Sequence, residues 1–267
     1  MSLKPARIGG RDWVQPNRFT SANVRARATS WAHGGPVSAI LVRAMRLLCL
    51  SDVHGYLDAL AAVLATAERR SFNKLLVAGD IVFPGPQPLE TWRRLSAAGA
   101  VMVQGLTDKA LVTLDPNAIP VSSEREARAV QRMRDVRTEL GDLILERLRR
   151  LPAQVRIPLE DGGELLLVHG SPSDPGEAIS HDLSDDEIRA LVGDDPADVV
   201  VCGASHVPFD RTIGDLRVIN VGSVGEAPDE PAVAHATWIE STPGGLIVEQ
   251  FAVPLADAAL AARRAFG

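Results

Sequence analysis

Two cysteines in 267 residues, Cys49 and Cys202, leave no material for a disulfide framework. Both lie inside apolar runs and read as buried thiols, which fits a reducing compartment and an expected cytoplasmic location. No run of about 18 uncharged apolar residues occurs, so no transmembrane helix is expected. An apolar stretch followed by a small-residue cleavage site is also missing, so no secretory signal is expected. The sequence has no G-x-S-x-G elbow, which argues against a serine hydrolase built on Ser171 or Ser205. Internal repeats are absent, and no second Pro/Gly/Ser-rich linker follows residue 45.

What is present suits a soluble globular chain: 46% apolar and 23% charged residues. The net charge of −6 hides an uneven spread. Residues 1–44 carry seven Lys/Arg against one acidic residue, Asp12, and show neither helical nor strand periodicity. We read 1–44 as a disordered or non-native extension, with a basic tail for an acidic partner as the minor reading. Met45 immediately precedes the first strand, and 45–267 reads as one domain. That domain is strongly acidic, which argues against nucleic-acid binding through counterion release. Nothing in the pattern sets an oligomeric state.

The domain begins with a short apolar run, Leu47–Leu50, that suits a strand buried on both faces. Ser51-Asp52-Val53-His54-Gly55 follows, then a helix over about Tyr56–Arg70 with Leu57, Leu60, Ala61 and Leu64 at helical spacing. The rhythm repeats. A strand at Lys74–Ala78 ends in Gly79-Asp80, and the Pro-rich stretch 84–88 leads to a helix over Leu89–Ala98. A third strand, Ala100–Gln104, ends in Gly105-Leu106-Thr107-Asp108. Residues 122–150 are helical with a Ser123/Glu126 capping box and a break at Gly141. Beyond Pro152 come strands at 155–159, 165–168, 198–202, 216–221, 232–240 and 246–253, with a capped helix at 184–192.

Five strand ends thus present polar groups: Asp52 with His54, Asp80, Asp108, His169 and His206. Strand carboxyl ends are where α/β folds place their chemistry. His and Asp donors converging on one pocket suit a divalent transition metal. Asp108 reads as a turn residue or as a support that orients a neighbour, with the turn preferred; His235 reads as a structural side chain, and His181 as a minor candidate for a further donor. His33 falls in the extension.

In this order the motifs resemble the calcineurin-like metallophosphoesterase superfamily: D-x-H, G-D, G-N-[HC]-D, an isolated His, then G-H-x-H. The likeness spans about residues 45–250, and Asn220-Val221-Gly222-Ser223 resembles that family's Asn-Pro-Gly-Ser turn. It implies an α/β fold with two mixed β-sheets packed face to face and helices on the outside, in four layers. It also implies a divalent ion of the Mn, Fe, Zn or Ni class, with a phosphorylated small molecule or other phosphate ester as substrate. Carried over, Asp52, His54, Asp80 and His206 hold a first ion. A second ion shares Asp80 and keeps His169, but its other two ligand positions are Leu106 and Ala204, which offer no donor atom. Asp80 and His169 are the expected catalytic residues.

The family's frequent His beside the leaving group is Thr107 here, and lack of a general acid costs roughly 10²–10⁴-fold where the leaving group needs a proton. Two functions follow from the resemblance. One is hydrolysis of a phosphomonoester or phosphodiester through metal-activated water, with one tightly bound ion. The other is a weak or inactive member that binds a metal, a phosphorylated ligand or a protein.

Overall fold

The computed structural model describes residues 44–266. The readings made for the extension, including His33, lie outside those residues. Two five-stranded mixed sheets form the frame. The first has the order β10-β9-β1-β2-β3, from β1 (Met45–Leu50), β2 (Lys74–Val77), β3 (Val101–Met102), β9 (Val233–Thr242) and β10 (Gly245–Pro254). The second has the order β4-β5-β6-β8-β7, from β4 (Gln154–Pro158), β5 (Glu164–Val168), β6 (Val199–Cys202), β7 (Phe209–Ile213) and β8 (Leu216–Asn220).

Alternation along the strands explains the layering. In β1, Leu47 and Cys49 join a core with Leu165, Leu167, Val199 and Val201 of the second sheet. Leu48 and Leu50 point the other way, into a core with helices α1 (Leu57–Ala67), α2 (Pro88–Ala97), α3 (Leu106–Thr113) and α4 (Glu124–Arg149). In the second sheet Leu166, Val168, Val200 and Cys202 pack outward against Ile188 and Val192 of α5 (Asp185–Val192). Continuous apolar runs in β1, β5 and β6 are therefore explained by burial on both faces. The two thiols are free and fully buried, on different faces of the frame.

Local signals decide the helix ends. Ser123 Oγ accepts from the Glu126 amide and the Glu126 carboxylate accepts from the Ser123 amide, closing the expected capping box. Gly141 (φ 69°, ψ 166°) interrupts α4 at the expected break. Three elements differ from the sequence reading. Gly105-Leu106-Thr107-Asp108 opens α3 instead of forming a turn, because the Asp108 carboxylate accepts from the Gly105 amide at the helix start. Strand β7 escaped because its alternation carries Asp210, Arg211 and Thr212 among only two apolar residues. A last helix, α6 (Asp257–Phe266), follows β10; Asp257 in its first turn and Arg263 and Arg264 in its last match the helix dipole.

Candidate metal centre

The loops after β1, β2, β5 and β6 meet at one edge of the two sheets. Asp52 and His54 follow β1, Asp80 follows β2, His169 follows β5 and His206 follows β6. Four of these five residues have left-handed backbone: Asp52 (φ 53°), His54 (51°), Asp80 (52°) and His206 (61°). Such a conformation costs about 1–3 kcal/mol per non-glycine residue and persists only where surroundings impose it. Bonds between the loops impose it here. The Asp52 and His54 amides donate to the Gly79 and Asp80 carbonyls at 3.1 and 2.8 Å, and the Gly225 amide donates to the Asp52 carbonyl.

Two glycines admit the carboxylates. A Cβ on Gly203 would run into Ser51 Oγ and Asp52 Oδ2, and one on Gly105 into the Asp80 amide and Oδ1. Both are sites of close approach, where any side chain would displace a carboxylate.

The donor atoms fall into two overlapping groups. Asp52, His54 and His206 form one, and Asp52, Asp80 and His169 the other, each with its ligand atoms within 4.8 Å of one another. Asp52 Oδ2 accepts from the Ala204 amide, but Oδ1 is buried and has no hydrogen-bond partner. It lies 3.1 Å from His206 Nε2 and 3.7 Å from His54 Nε2. Asp80 Oδ1 accepts from the Thr107 amide, and Oδ2 stands 3.4 Å from His169 Nε2 and 3.9 Å from His54 Nε2. Asp52 is thus common to both groups, and Asp80 stands between His54 and His169.

The ring orientations carry further information. His54 Nδ1 lies 2.6 Å from the Phe83 carbonyl and His169 Nδ1 lies 2.6 Å from the Ala78 carbonyl. A carbonyl only accepts, so both Nδ1 atoms carry hydrogen and both Nε2 atoms face the centre. Anchoring one ring nitrogen so that the other is presented is the usual support of a metal-ligating histidine. His54 Nε2 and His206 Nε2 are 3.3 Å apart, which two facing lone pairs do not tolerate without a proton or cation between or beside them. The donor set, the orphaned Asp52 Oδ1 and this facing pair fit a divalent ion.

Electrostatics point the same way. Burial opposes the His169 imidazolium, but the Asp80 carboxylate, then Asp52, and the Ala78 carbonyl hold its pKa up at about 10. Burial likewise opposes charge on His206, yet Asp52 and then Glu226 raise its pKa. Burial works against the Asp80 carboxylate too, and His169 nevertheless keeps it below the usual carboxylate range. Protons and metal ions thus compete for the same positive-charge positions.

Asp108 corrects the turn reading. It is fully buried, accepts from the Ile81 amide at 3.0 Å and the Gly105 amide at 3.1 Å, and so ties the Asp80 loop to α3. Burial and then the nearby Asp80 carboxylate push its carboxyl up to about 6. Leu106, at the start of α3, is half exposed with Cδ1 near Gly176, and Ala204 (φ 63°) contributes only its amide. His181 is exposed and belongs to neither ligand group among the described residues. His235 is buried, with Nε2 3.3 Å from Glu230 and Nδ1 without a partner. Ser171 hydrogen-bonds the Asp174 backbone, and Ser205 accepts from the Asn220 side chain.

A model of the calcineurin-like phosphoesterase superfamily domain matches residues 45–239. The chain belongs to the calcineurin-like phosphoesterase superfamily. Among relatives of this phosphoesterase-family chain, the uncharacterized protein MJ0912 of Methanocaldococcus jannaschii is 26% identical over 206 residues, covering 71% of this chain and 79% of that protein. The crystal structure of hypothetical protein PH1004 from Pyrococcus horikoshii shares the fold (TM-score 0.69, 21% identity, 84% of this chain and 94% of that one). So does that of a metallophosphoesterase from Sphaerobacter thermophilus (TM-score 0.63, 22% identity, 84% of this chain and 100% of that one). The two-sheet fold expected from the motifs is the fold of this family. Membership of this family points to a metal-dependent phosphoesterase. Among the described residues, no helix is long and apolar enough to cross a membrane.

Proposed function

We propose that this chain hydrolyses a phosphomonoester or phosphodiester with one tightly held divalent ion, bound by Asp52, His54, Asp80 and His206. The observation that carries the reading is Asp52 Oδ1, a buried carboxylate oxygen with no hydrogen-bond partner beside two imidazole nitrogens. Burying that carboxylate oxygen calls for positive charge beside it, which a protonated imidazole supplies in the metal-free protein and a divalent cation can replace. A divalent ion bound there supplies Lewis acidity toward the phosphoryl oxygens and lowers the pKa of a coordinated water.

The chain's own groups do the rest. Asp80 is held by the Thr107 amide through Oδ1, so that Oδ2 faces the centre. His169, fixed by the Ala78 carbonyl, aims Nε2 at Asp80 and at the space where the phosphoryl group would sit. The Thr107 hydroxyl donates to the Phe83 carbonyl and is a poor acid. Substrates whose leaving group needs no proton are therefore favoured. The same arguments support phosphate esters as ligands, with the metal drawn from the Mn, Fe, Zn or Ni class.

The test is hydrolysis of 4-nitrophenyl phosphate by protein purified with manganese, nickel, zinc or iron. Turnover lost in Asp80→Asn is the expected result, and no turnover with any of these metals would refute the enzymatic reading. Leu106 and Ala204 favour a second reading, a binding module that lost catalysis with its second ion. Activity that appears only in the Leu106→Asn/Ala204→His double variant would select it.

A further inference from the structure

Helix α4 reaches neighbouring backbone through its arginines. Arg134 donates to the Pro116 carbonyl, Arg137 to the Leu111 and Leu114 carbonyls, and Arg149 to the Val112 carbonyl. These contacts fasten α4 to α3 and to the chain just after it. Arg132 differs, because the loop it holds belongs to the candidate metal centre. Its Nε donates to the Pro84 carbonyl at 2.8 Å and its Nη2 to the Gly85 carbonyl.

Residues 83–85 lie in no helix or strand, and Pro84 has no amide to donate. Their three carbonyls are nevertheless all engaged. The Phe83 carbonyl accepts from His54 Nδ1 at 2.6 Å and from the Thr107 hydroxyl at 3.4 Å, while those of Pro84 and Gly85 accept from Arg132. The Gly85 amide in turn donates to the His54 carbonyl at 2.6 Å. A Cβ on Gly85 would strike that carbonyl, so the loop presses directly on the His54 backbone. One segment thus grips His54 by its carbonyl and by its ring, and Arg132 grips the segment.

A guanidinium suits this task. Its nitrogens form a rigid planar fork, so two bonds to successive carbonyls fix both distance and orientation. Arg132 Cζ also lies 5.3 Å from the centroid of the Phe266 ring in α6, a cation–π contact that steadies the head group. His54 needs such support, since its left-handed backbone (φ 51°) persists only where surroundings impose it. The ring has the same need: Nδ1 on the Phe83 carbonyl is what turns Nε2 toward Asp52 and His206.

We propose that Arg132 is a positioning residue of the metal centre, holding the His54 ring through residues 83–85 so that Nε2 is presented to the ion. The inference rests on His54 being a ligand, as in the function proposed above, and extends the support of that site to α4 and α6. Arg134 gives the internal comparison, because it lies on the same helix and bonds a carbonyl outside the centre.

Zinc-loaded protein labelled with ¹⁵N-histidine tests it by magnetic resonance and by zinc affinity. The Nδ1–H protons of His54 and His169, assigned with His54→Gln and His169→Gln, report on the two carbonyl anchors. Arg132→Met keeps the apolar stem; the His54 proton should then exchange with water at least about threefold faster, with the His169 proton unmoved. Zinc affinity, measured by competition with a chromophoric chelator, should weaken about tenfold, the lower end of the range for outer partners of a ligand. Arg132→Lys, which reaches only one carbonyl, should fall between, and Arg134→Met should stay within about twofold of wild type. If Arg132→Met does not fold, Arg132→Lys carries the same comparison. An unmoved His54 proton, an equal change at His169, or equal weakening by Arg134→Met would overturn the inference. Zinc held equally by wild type and Arg132→Met would overturn it alone, whereas a wild type that binds no zinc would overturn it together with the function it rests on. Zinc binding that depends on Arg132 without any hydrolysis would keep the inference and remove the enzymatic reading.

Discussion

The two halves of the centre share Asp52, lie on either side of Asp80, and differ in the imidazoles they offer. On one side Asp52, His54 and His206 bring a carboxylate and two imidazoles together, with His54 anchored by the Phe83 carbonyl and Asp52 by the Ala204 amide. On the other side the group is Asp52, Asp80 and His169, with one imidazole instead of two, and Leu106, half exposed, and Ala204, whose amide supports Asp52, bring no side-chain donor. The backbone is alike in both: Ala204 has the same left-handed conformation as His206 two residues on. On the function proposed above, the group with two imidazoles holds an ion tightly and the group with one does not. A site can lose a ligand by one substitution and keep its geometry, because geometry is set by loop-to-loop hydrogen bonds and by glycines such as Gly105 and Gly203.

The comparison can be broken most directly by deleting one donor from each half. Asp52→Ala should abolish metal retention and bring hydrolysis of 4-nitrophenyl phosphate to background, whereas His169→Ala should retain the ion and slow turnover by roughly 10²-fold. Metal analysis and initial rates on the same preparations distinguish the two; equal loss of metal in both variants would remove the asymmetry. A gain of function sharpens it from the other side. Leu106→Asn with Ala204→His should raise the metal content from about one to about two ions per chain and speed hydrolysis at least roughly tenfold, about 1.4 kcal/mol off the barrier.

A smaller effect tests the support of Asp80. Asp108→Ala leaves the Ile81 and Gly105 amides bare, and denaturant unfolding should show a loss of about 1–3 kcal/mol, with weakened activity through displaced Asp80. The smallest effect is on pH dependence. His169 has its pKa raised from 6.5 to about 10, so its contribution to stability is complete below pH 6.5 and lost as pH rises toward 10. In the metal-free protein the thermal midpoint should fall across that window, and His169→Asn should flatten the fall. Metal affinity should run the opposite way, rising with pH as the imidazoles give up protons.

Much of this arrangement was legible in the chain because short runs such as Leu47–Leu50 and Leu165–Val168 are apolar on both faces and stop abruptly at polar residues. That pattern marked β1, β2, β5 and β6 and, with them, Asp52, His54, Asp80, His169 and His206 at one edge. Of the two readings open for Asp108 the less favoured one holds, because a carboxylate three residues after a glycine looks the same whether it faces solvent or caps buried amides. Strand β7 carries too many charged residues for alternation to stand out, and α6 was passed over although its terminal charges follow the helix dipole. Glu226 had no signal at all, since only the fold brings its carboxylate 3.9 Å from His206 Nδ1.

The central claim is that one half of the centre holds an ion and the other does not. Elemental analysis of protein purified with saturating manganese, combined with anomalous diffraction from the same metal-soaked protein, tests it most directly. The account predicts about one ion per chain, between Asp52, His54, Asp80 and His206. No bound ion, or two fully occupied positions on either side of Asp80, would contradict it.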